Sequence, residues 1–329
     1  MLSSADLRGL YAIIPTPARP GAEALDAVNT VDFAETERLI NVLIRDGARG
    51  LIVLGTTGEC ATLSSADYEA FVDCVCSTVR RRIPTFVGAT ALGGHEVYRR
   101  LRFGLDRGAD GSLLGLPMWQ PVTTPMAVKY YAAVAEAFPT LAIMVYANVR
   151  AFRYSFPIEF WTALTKEAPT VTSAKFSRAA GLKELIAATG RRINFMPIDM
   201  AVAEFHGISP ETTTACWATA AAMGPEPSVA VIDAALSNDQ PRLKIVNEGI
   251  AWANEPIMGL LHKPEEFASY NIQVEKIRIA TAGYCRPGPI RPPYDVIPDV
   301  YAEASRECGR RWADLRKRFG ATNKAAAVA

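Results

Sequence analysis

The sequence predicts an α/β chain folded as a (β/α)8 barrel, the TIM-barrel architecture, with a helical appendage at its C-terminal end. Eight short apolar runs rich in Ile, Val and Leu, bounded by Gly, Pro and Asp, recur before residue 225, as buried parallel strands do. Amphipathic helical segments separate most of them, at roughly 20 to 40 residues per unit, which suits a closed barrel better than an open sheet. The alternative, a doubly wound sheet, lacks its glycine fingerprint after the first run. "GATALGG" (88–94) has glycines at the wrong spacing and reads as a strand–helix turn.

In chain order the strands are "LYAIIPT" (10–16), "GLIVLGT" (50–56), "TFVGAT" (85–90), "SLLGLP" (112–117), "LAIMVYAN" (141–148), "VTSAKF" (171–176), "INFMPI" (193–198) and "TTACWA" (213–218). Helical periodicity marks "DFAETERLINVLIRDG" (32–47), "SSADYEAFVDCVCSTVRRR" (64–82) and "TPMAVKYYAAVAEAF" (124–138). Beyond residue 225 the pattern is helical only, interrupted at "CRPGPIRPPYDVIP" (285–298). Residues 1–225 therefore form the barrel that carries the site. Residues 226–329 form helices packed on it within the same structural unit, and the final "KRFGATNKAAAVA" reads as a frayed end.

Composition narrows the function classes. The 329 residues carry a formal charge of +1, without the basic stripe of a nucleic-acid binder. No apolar run approaches the ~20 residues of a membrane span, and "MLSSADLRGLYAIIP" has no signal-peptide pattern; a cytoplasmic protein is expected. Six cysteines are scattered without a CxxC pair, and the three histidines lie far apart in sequence. No metal site is expected from that spacing.

The chemistry gathers at strand ends. In this fold reactive side chains sit at the C-terminal ends of strands and in the loops that follow. "GTTGE" follows the second strand, "PMW" ends the fourth, "YAN" ends the fifth and Lys175 ends the sixth, so all four open onto one face. Gly55 and Gly58 admit backbone close to a ligand. Thr56 and Thr57 add hydroxyls, and their N–H groups are expected to precede a helix whose positive end favours a small carboxylate. Tyr146 and Asn148 point the same way, offering a phenol for proton transfer and an amide for a hydroxyl or carbonyl. A desolvated Lys175 would hold its amine neutral and nucleophilic toward a ketone. Taken singly, each has a plain structural reading. The turn caps a helix, the tyrosine bonds a backbone group in the core, and the lysine snorkels to the rim.

Together these residues resemble the pyruvate-dependent class I aldolases of the dihydrodipicolinate synthase and N-acetylneuraminate lyase family. The likeness runs from "YAIIPTP" (11–17) through GTTGE, Tyr146 and Lys175 into the helical tail. Within it, "GECATL", "LGLPMW", "YANVRAF", "FPIEFW", "YNIQVEK" (270–276) and "GPIRPPY" (288–294) are most similar to the hydratase-aldolases of polycyclic aromatic hydrocarbon breakdown. These cleave trans-o-hydroxy- or trans-o-carboxybenzylidenepyruvate into an aromatic aldehyde and pyruvate. Met118 and Trp119 stand where dihydrodipicolinate-forming members carry a tyrosine pair, and Tyr146-Ala147-Asn148-Val149 replaces Tyr-Asn-x-Pro. Both changes favour an aromatic substrate over aspartate semialdehyde.

The resemblance implies an imine on Lys175, proton transfers at Tyr146 and water positioning by Asn148. It implies a carboxylate held by Thr56 and Thr57, an aryl ring flanked by Met118 and Trp119, no cofactor, and a homotetramer built from dimers. Glu59 is assigned to fixing the turn. Arg150, Arg153 and Arg178 are the cations available to an o-carboxylate. The alternatives are a sugar-acid lyase or dihydrodipicolinate synthase-like enzyme, a metal-dependent aldolase, and a non-catalytic keto-acid-binding barrel.

Overall fold

The computed structural model describes residues 1–326. Eight parallel strands occupy the predicted runs: β1 (Gly9–Ile13), β2 (Gly50–Val53), β3 (Thr85–Gly88), β4 (Gly111–Leu114), β5 (Ala142–Tyr146), β6 (Val171–Lys175), β7 (Asn194–Met196) and β8 (Ala215–Ala218). Their ladder order, β7-β6-β5-β4-β3-β2-β1-β8, is that of a barrel whose last seam lies between β7 and β8. A parallel bridge from Ile198 to Trp217 closes that seam. Trp217 donates its N–H to Pro197 O at 2.9 Å and its indole N–H to Met196 O at 3.0 Å.

Most of the predicted runs overshoot the strands at their C-terminal ends. Ile14, Leu54 and Leu116 are as buried as strand residues, yet they belong to loops folded into the core, so their apolar character extends the pattern past the last ladder pair. Inside the barrel, large rings face glycines across neighbouring strands. Tyr11 pairs with Gly50 and Phe86 with Gly111. A Cβ on Gly50 would sit 2.3 Å from the Tyr11 ring, and one on Gly111 2.4 Å from Phe86. The Tyr11 and Phe86 rings meet edge to face, 5.9 Å apart.

The outer helices are α1 (Phe33–Arg45), α2 (Ser65–Val79), α3 (Gly94–Asp106), α4 (Thr124–Ala137), the single turn α5 (Val149–Phe152), α6 (Ile158–Glu167), α7 (Leu182–Ala188) and α8 (Val202–Ile208). Asp32 and Ser64 cap α1 and α2 by accepting from Glu35 N at 3.0 Å and Asp67 N at 3.1 Å. After β8 comes α9 (Glu226–Leu236), which packs on β1 and β8 and so supplies the eighth barrel helix. The sequence-based boundary at residue 225 falls between β8 and this helix.

The appendage is α10 (Gln240–Leu261), α11 (Pro264–Ala282) and α12 (Asp299–Ala326), packed on one another. The tail expected to fray is helical to Ala326, and residues 327–329 lie outside the described residues. Among the described residues no helix is long and apolar enough to cross a membrane.

A buried ionic knot fastens the appendage to the barrel mouth. Glu59, in the loop after β2, accepts from Lys276 Nζ of α11 at 2.9 Å and from Arg291 Nη1 at 2.8 Å. All three side chains are at most 3% exposed. Arg291 also donates to Thr16 O at 3.0 Å and Thr30 Oγ1 at 2.8 Å. The proline-rich segment between α11 and α12 is thereby tied to the loop after β1. Glu59→Ala strands two buried cations, and urea unfolding should show a loss of about 3–5 kcal/mol. A loss below about 1 kcal/mol, the range of an exposed pair, would contradict the knot.

Candidate active site

Strand ends, loops and helices of the appendage meet around a cavity of about 850 Å³ at the C-terminal ends of the strands. β6 brings Lys175, β5 brings Tyr146 and β8 brings Trp217. The loop after β2 brings Thr56 and Thr57, and α11 roofs the cavity with Asn271, Glu275 and Arg278. Lys175 Nζ lies 3.3 Å from the centroid of the Trp217 ring and 4.8 Å from that of Tyr146. It has no hydrogen-bond partner among the described residues, so the amine is held against aromatic faces and left free for a ligand. Burial lowers its pKa to about 7, Glu275 pulling upward and Arg150 adding to the fall.

The phenol is set with equal care. Tyr146 OH shares a hydrogen bond with Thr56 Oγ1 at 2.9 Å and accepts from Asn148 Nδ2 at 3.4 Å. Burial raises the phenol's pKa while those hydrogen bonds oppose it. Asn148 is fixed from the other side, because its Oδ1 caps α5 by accepting from Ala151 N at 3.1 Å. The Phe152 ring of α5 stands edge-on to Tyr146, centroids 5.4 Å apart.

The GTTGE turn holds a strained shape, with Leu54 and Glu59 at φ +61° and +53°. Gly58 is required there, since a Cβ would lie 2.7 Å from Leu54 N. Neither the Thr56 nor the Thr57 N–H is taken by a backbone carbonyl among the described residues. The helix expected to lend its positive end is displaced. α2 begins at Ser65, and residues 55–62 form successive tight turns instead. Gly55 lines neither cavity described here; a Cβ there would press on Leu113 at 3.3 Å, so this glycine serves packing.

Of the pair expected to flank an aryl ring, the structure places Met118 and not Trp119 beside a cavity. Both carbonyls accept from the Arg153 guanidinium, which pins the loop after β4 with the indole turned outward. The Trp119 side chain is 78% exposed and lines neither cavity. Met118 lines a smaller cavity of about 160 Å³, which shares Thr56, Tyr146 and Asn271 with the large one.

Sequence reasoning did not single out Trp217, Asn271, Glu275 or Arg278. Trp217 lies near the C-terminal end of β8, so the strand-end rule that found Lys175 would have found it too. The α11 residues carry no such signal, because only the packing of the appendage brings them over the barrel. Arg278 is buried and satisfied by Glu275 at 2.8 Å, Asn254 Oδ1 at 3.0 Å and Thr219 Oγ1 at 2.7 Å. Asp199, after β7, accepts from Ser228 Oγ at 2.6 Å, and burial lifts its pKa to about 6. Among the described residues no group of three or more His, Cys, Asp or Glu side chains is placed to hold a metal ion.

This arrangement places an amine of lowered pKa, a phenol and the two threonines of the GTTGE turn around one space. The pattern of the Dihydrodipicolinate synthetase family matches residues 22–193. The chain belongs to that family. It is 36% identical over 97% of its length, and 96% of the relative's, to a trans-O-hydroxybenzylidenepyruvate hydratase-aldolase of Pseudomonas putida. It is 37% identical over 98% of its length, and 97% of the relative's, to a trans-2'-carboxybenzalpyruvate hydratase-aldolase of Nocardioides sp. (strain KP7). It also resembles the solved structure of PhdJ bound to substrate intermediate, with TM-score 0.92 and 34% identity over 97% of this chain and 99% of that one.

A lowered lysine pKa has a direct kinetic consequence. The rate at which pyruvate and borohydride label the enzyme should rise with pH and reach half its maximum near pH 7, as Lys175 loses its proton. Intact-mass measurements across pH 5–10 read this. A rate still climbing above pH 9 would mean an ordinary, solvated lysine.

Proposed function

We propose that the chain is a hydratase-aldolase that hydrates an aromatic benzylidenepyruvate and cleaves it to an aromatic aldehyde and pyruvate through an imine on Lys175. The observation that carries this reading is the unbonded Lys175 amine, 3.3 Å from the Trp217 ring centroid and 4.8 Å from that of Tyr146, in a cavity that Thr56 and Thr57 also line. Full-length likeness to two hydratase-aldolases supports it.

The chemistry follows from the bonds involved. Lys175 Nζ adds to the C2 ketone and water leaves, giving a protonated imine conjugated with the C3–C4 double bond. That cation draws electrons from C4, so water adds there and the displaced electron pair forms an enamine, which is protonated at C3. A base then takes the proton of the C4 hydroxyl. The C3–C4 bond breaks with its electrons returning to the imine, and the aldehyde leaves. The remaining enamine is protonated at C3, and hydrolysis releases pyruvate and restores the amine.

Tyr146 transfers the protons, its hydroxyl being linked to Thr56 and Asn148. Thr56 and Thr57 hold the pyruvyl carboxylate with their hydroxyls and the Thr57 N–H. Asn148 orients the phenol as well as the C4 oxygen. The Trp217 face stabilises the iminium that replaces the neutral amine. The reading calls on no cofactor, because the iminium is the electron sink. On the family likeness it includes a cytoplasmic homotetramer acting in polycyclic aromatic hydrocarbon catabolism, on substrates of the naphthalene and phenanthrene routes.

Incubation with benzylidenepyruvates should release pyruvate and aldehyde in equal amounts. Lys175→Ala should abolish both release and borohydride trapping. Tyr146→Phe should lower kcat by about 10²- to 10⁴-fold, the usual reach of a general acid–base, with a smaller change in KM. Full activity in Tyr146→Phe, or trapping at another lysine, would remove the mechanism.

A further inference from the structure

Relatives named for an o-hydroxy and an o-carboxy substrate are equally similar to this chain, at 36% and 37% identity, so likeness alone leaves the ring substituent open. The large cavity speaks to it. Beyond Lys175 and Trp217 its outer part is lined by Ile257, Met258 and Leu261 of α10 and by Phe267 of α11, an apolar shelf suited to an aromatic ring. The rim of that shelf carries Arg150, from α5, and Arg178, from the loop after β6.

Both guanidiniums are lightly committed. Arg150 Nη1 donates to Pro264 O at a long 3.4 Å, and its Cζ lies over the Phe267 ring, 5.3 Å from the centroid. Arg178 Nη2 donates to Ser155 O at 3.2 Å. Neither meets a carboxylate within salt-bridge distance among the described residues. Arg150 lines the same cavity as Lys175, and its charge helps to depress the lysine's pKa. Arg153, the third cation expected from the sequence, is spent on the Met118 and Trp119 carbonyls.

The other charges lining the cavity are largely accounted for. Glu275 and Arg278 neutralise one another, and Asp199 is held by Ser228 with its pKa lifted toward neutrality. His262 also lines the cavity. Among the described residues lining the cavity, Asp199 and, on α8, Glu204 have no salt-bridge partner; burial draws Asp199 toward its neutral form, which leaves Glu204 set against two arginines that meet no carboxylate.

We infer that Arg150, assisted by Arg178, forms a subsite for an anionic group on the aromatic ring, so that the preferred substrate is an arylidenepyruvate bearing a ring carboxylate. This rests on the hydratase-aldolase reading given above. The pyruvyl carboxylate goes to the GTTGE turn and the ring carboxylate to the rim, with the imine carbon between them. A guanidinium offers a carboxylate paired, charge-assisted hydrogen bonds, whereas a neutral phenol hydroxyl gains little from it.

The test compares kcat/KM for o-carboxy-, o-hydroxy- and unsubstituted benzylidenepyruvate. In the wild type the carboxylate should lead, and its advantage over the unsubstituted compound should shrink as salt rises. Arg150→Gln should reduce that ratio by about tenfold or more, the size of one charge-assisted hydrogen bond. Arg178→Gln should reduce it less, and Arg153→Gln should not change it. An equal loss on all three substrates in Arg150→Gln, or a wild type that prefers the hydroxy or unsubstituted compound, would overturn the subsite and leave the reaction standing. Absence of turnover on all three would overturn the reaction itself, and the subsite with it.

Discussion

The geometry of the site depends on one buried carboxylate. Glu59 has no exposed surface, and two cations from the C-terminal part of the chain converge on it. It sits in the same turn as Thr56 and Thr57, so holding Glu59 holds the backbone to which the pyruvyl carboxylate is assigned. Lys276 lies one residue from Glu275 and two from Arg278, so the same contact fixes the register of the cavity roof. Burying three charges is costly unless each is paired and hydrogen-bonded. The threonine and carbonyl contacts of Arg291 and the Pro289 carbonyl near Lys276 meet that requirement.

A second constraint acts on Lys175. Burial lowers the pKa of the amine to about 7 and so favours the neutral form that the first step of the proposed reaction needs, but the next species is a cation in the same place. The Trp217 face lies against the nitrogen throughout and favours the charged form. Glu275 acts in the same direction, although its pairing with Arg278 limits how strongly. The site thus disfavours the ammonium through desolvation while retaining an aromatic surface suited to the iminium of the proposed reaction. A purely aliphatic pocket would serve the first need and not the second.

The barrel was legible in the sequence because each strand is a short apolar run with turn residues on both sides. Lys175, Tyr146 and the threonines were legible because polar residues at strand ends break that run. The same logic failed at Trp119. Its apolar ring was read as facing a substrate, but its position is set by main-chain carbonyls that Arg153 gathers, and no side-chain pattern encodes that contact. The threonines of the GTTGE turn do line the cavity, but the turn is built differently from the expectation, since α2 begins later than the glycines suggest. The α11 side chains were illegible for a simpler reason. Buried polar residues on a helix far along the chain acquire meaning only when tertiary packing shows what they cover.

That division has a consequence for how such an enzyme can diversify. The groups to which the proposed reaction assigns bond making are rooted in the strands and the first loops, while the shelf of Ile257, Met258, Leu261 and Phe267 hangs from the corner between α10 and α11. The corner lies more than 80 residues downstream of Lys175. A lineage can therefore remodel which molecules it accepts by exchanging a short helical elbow, and leave the reactive machinery untouched.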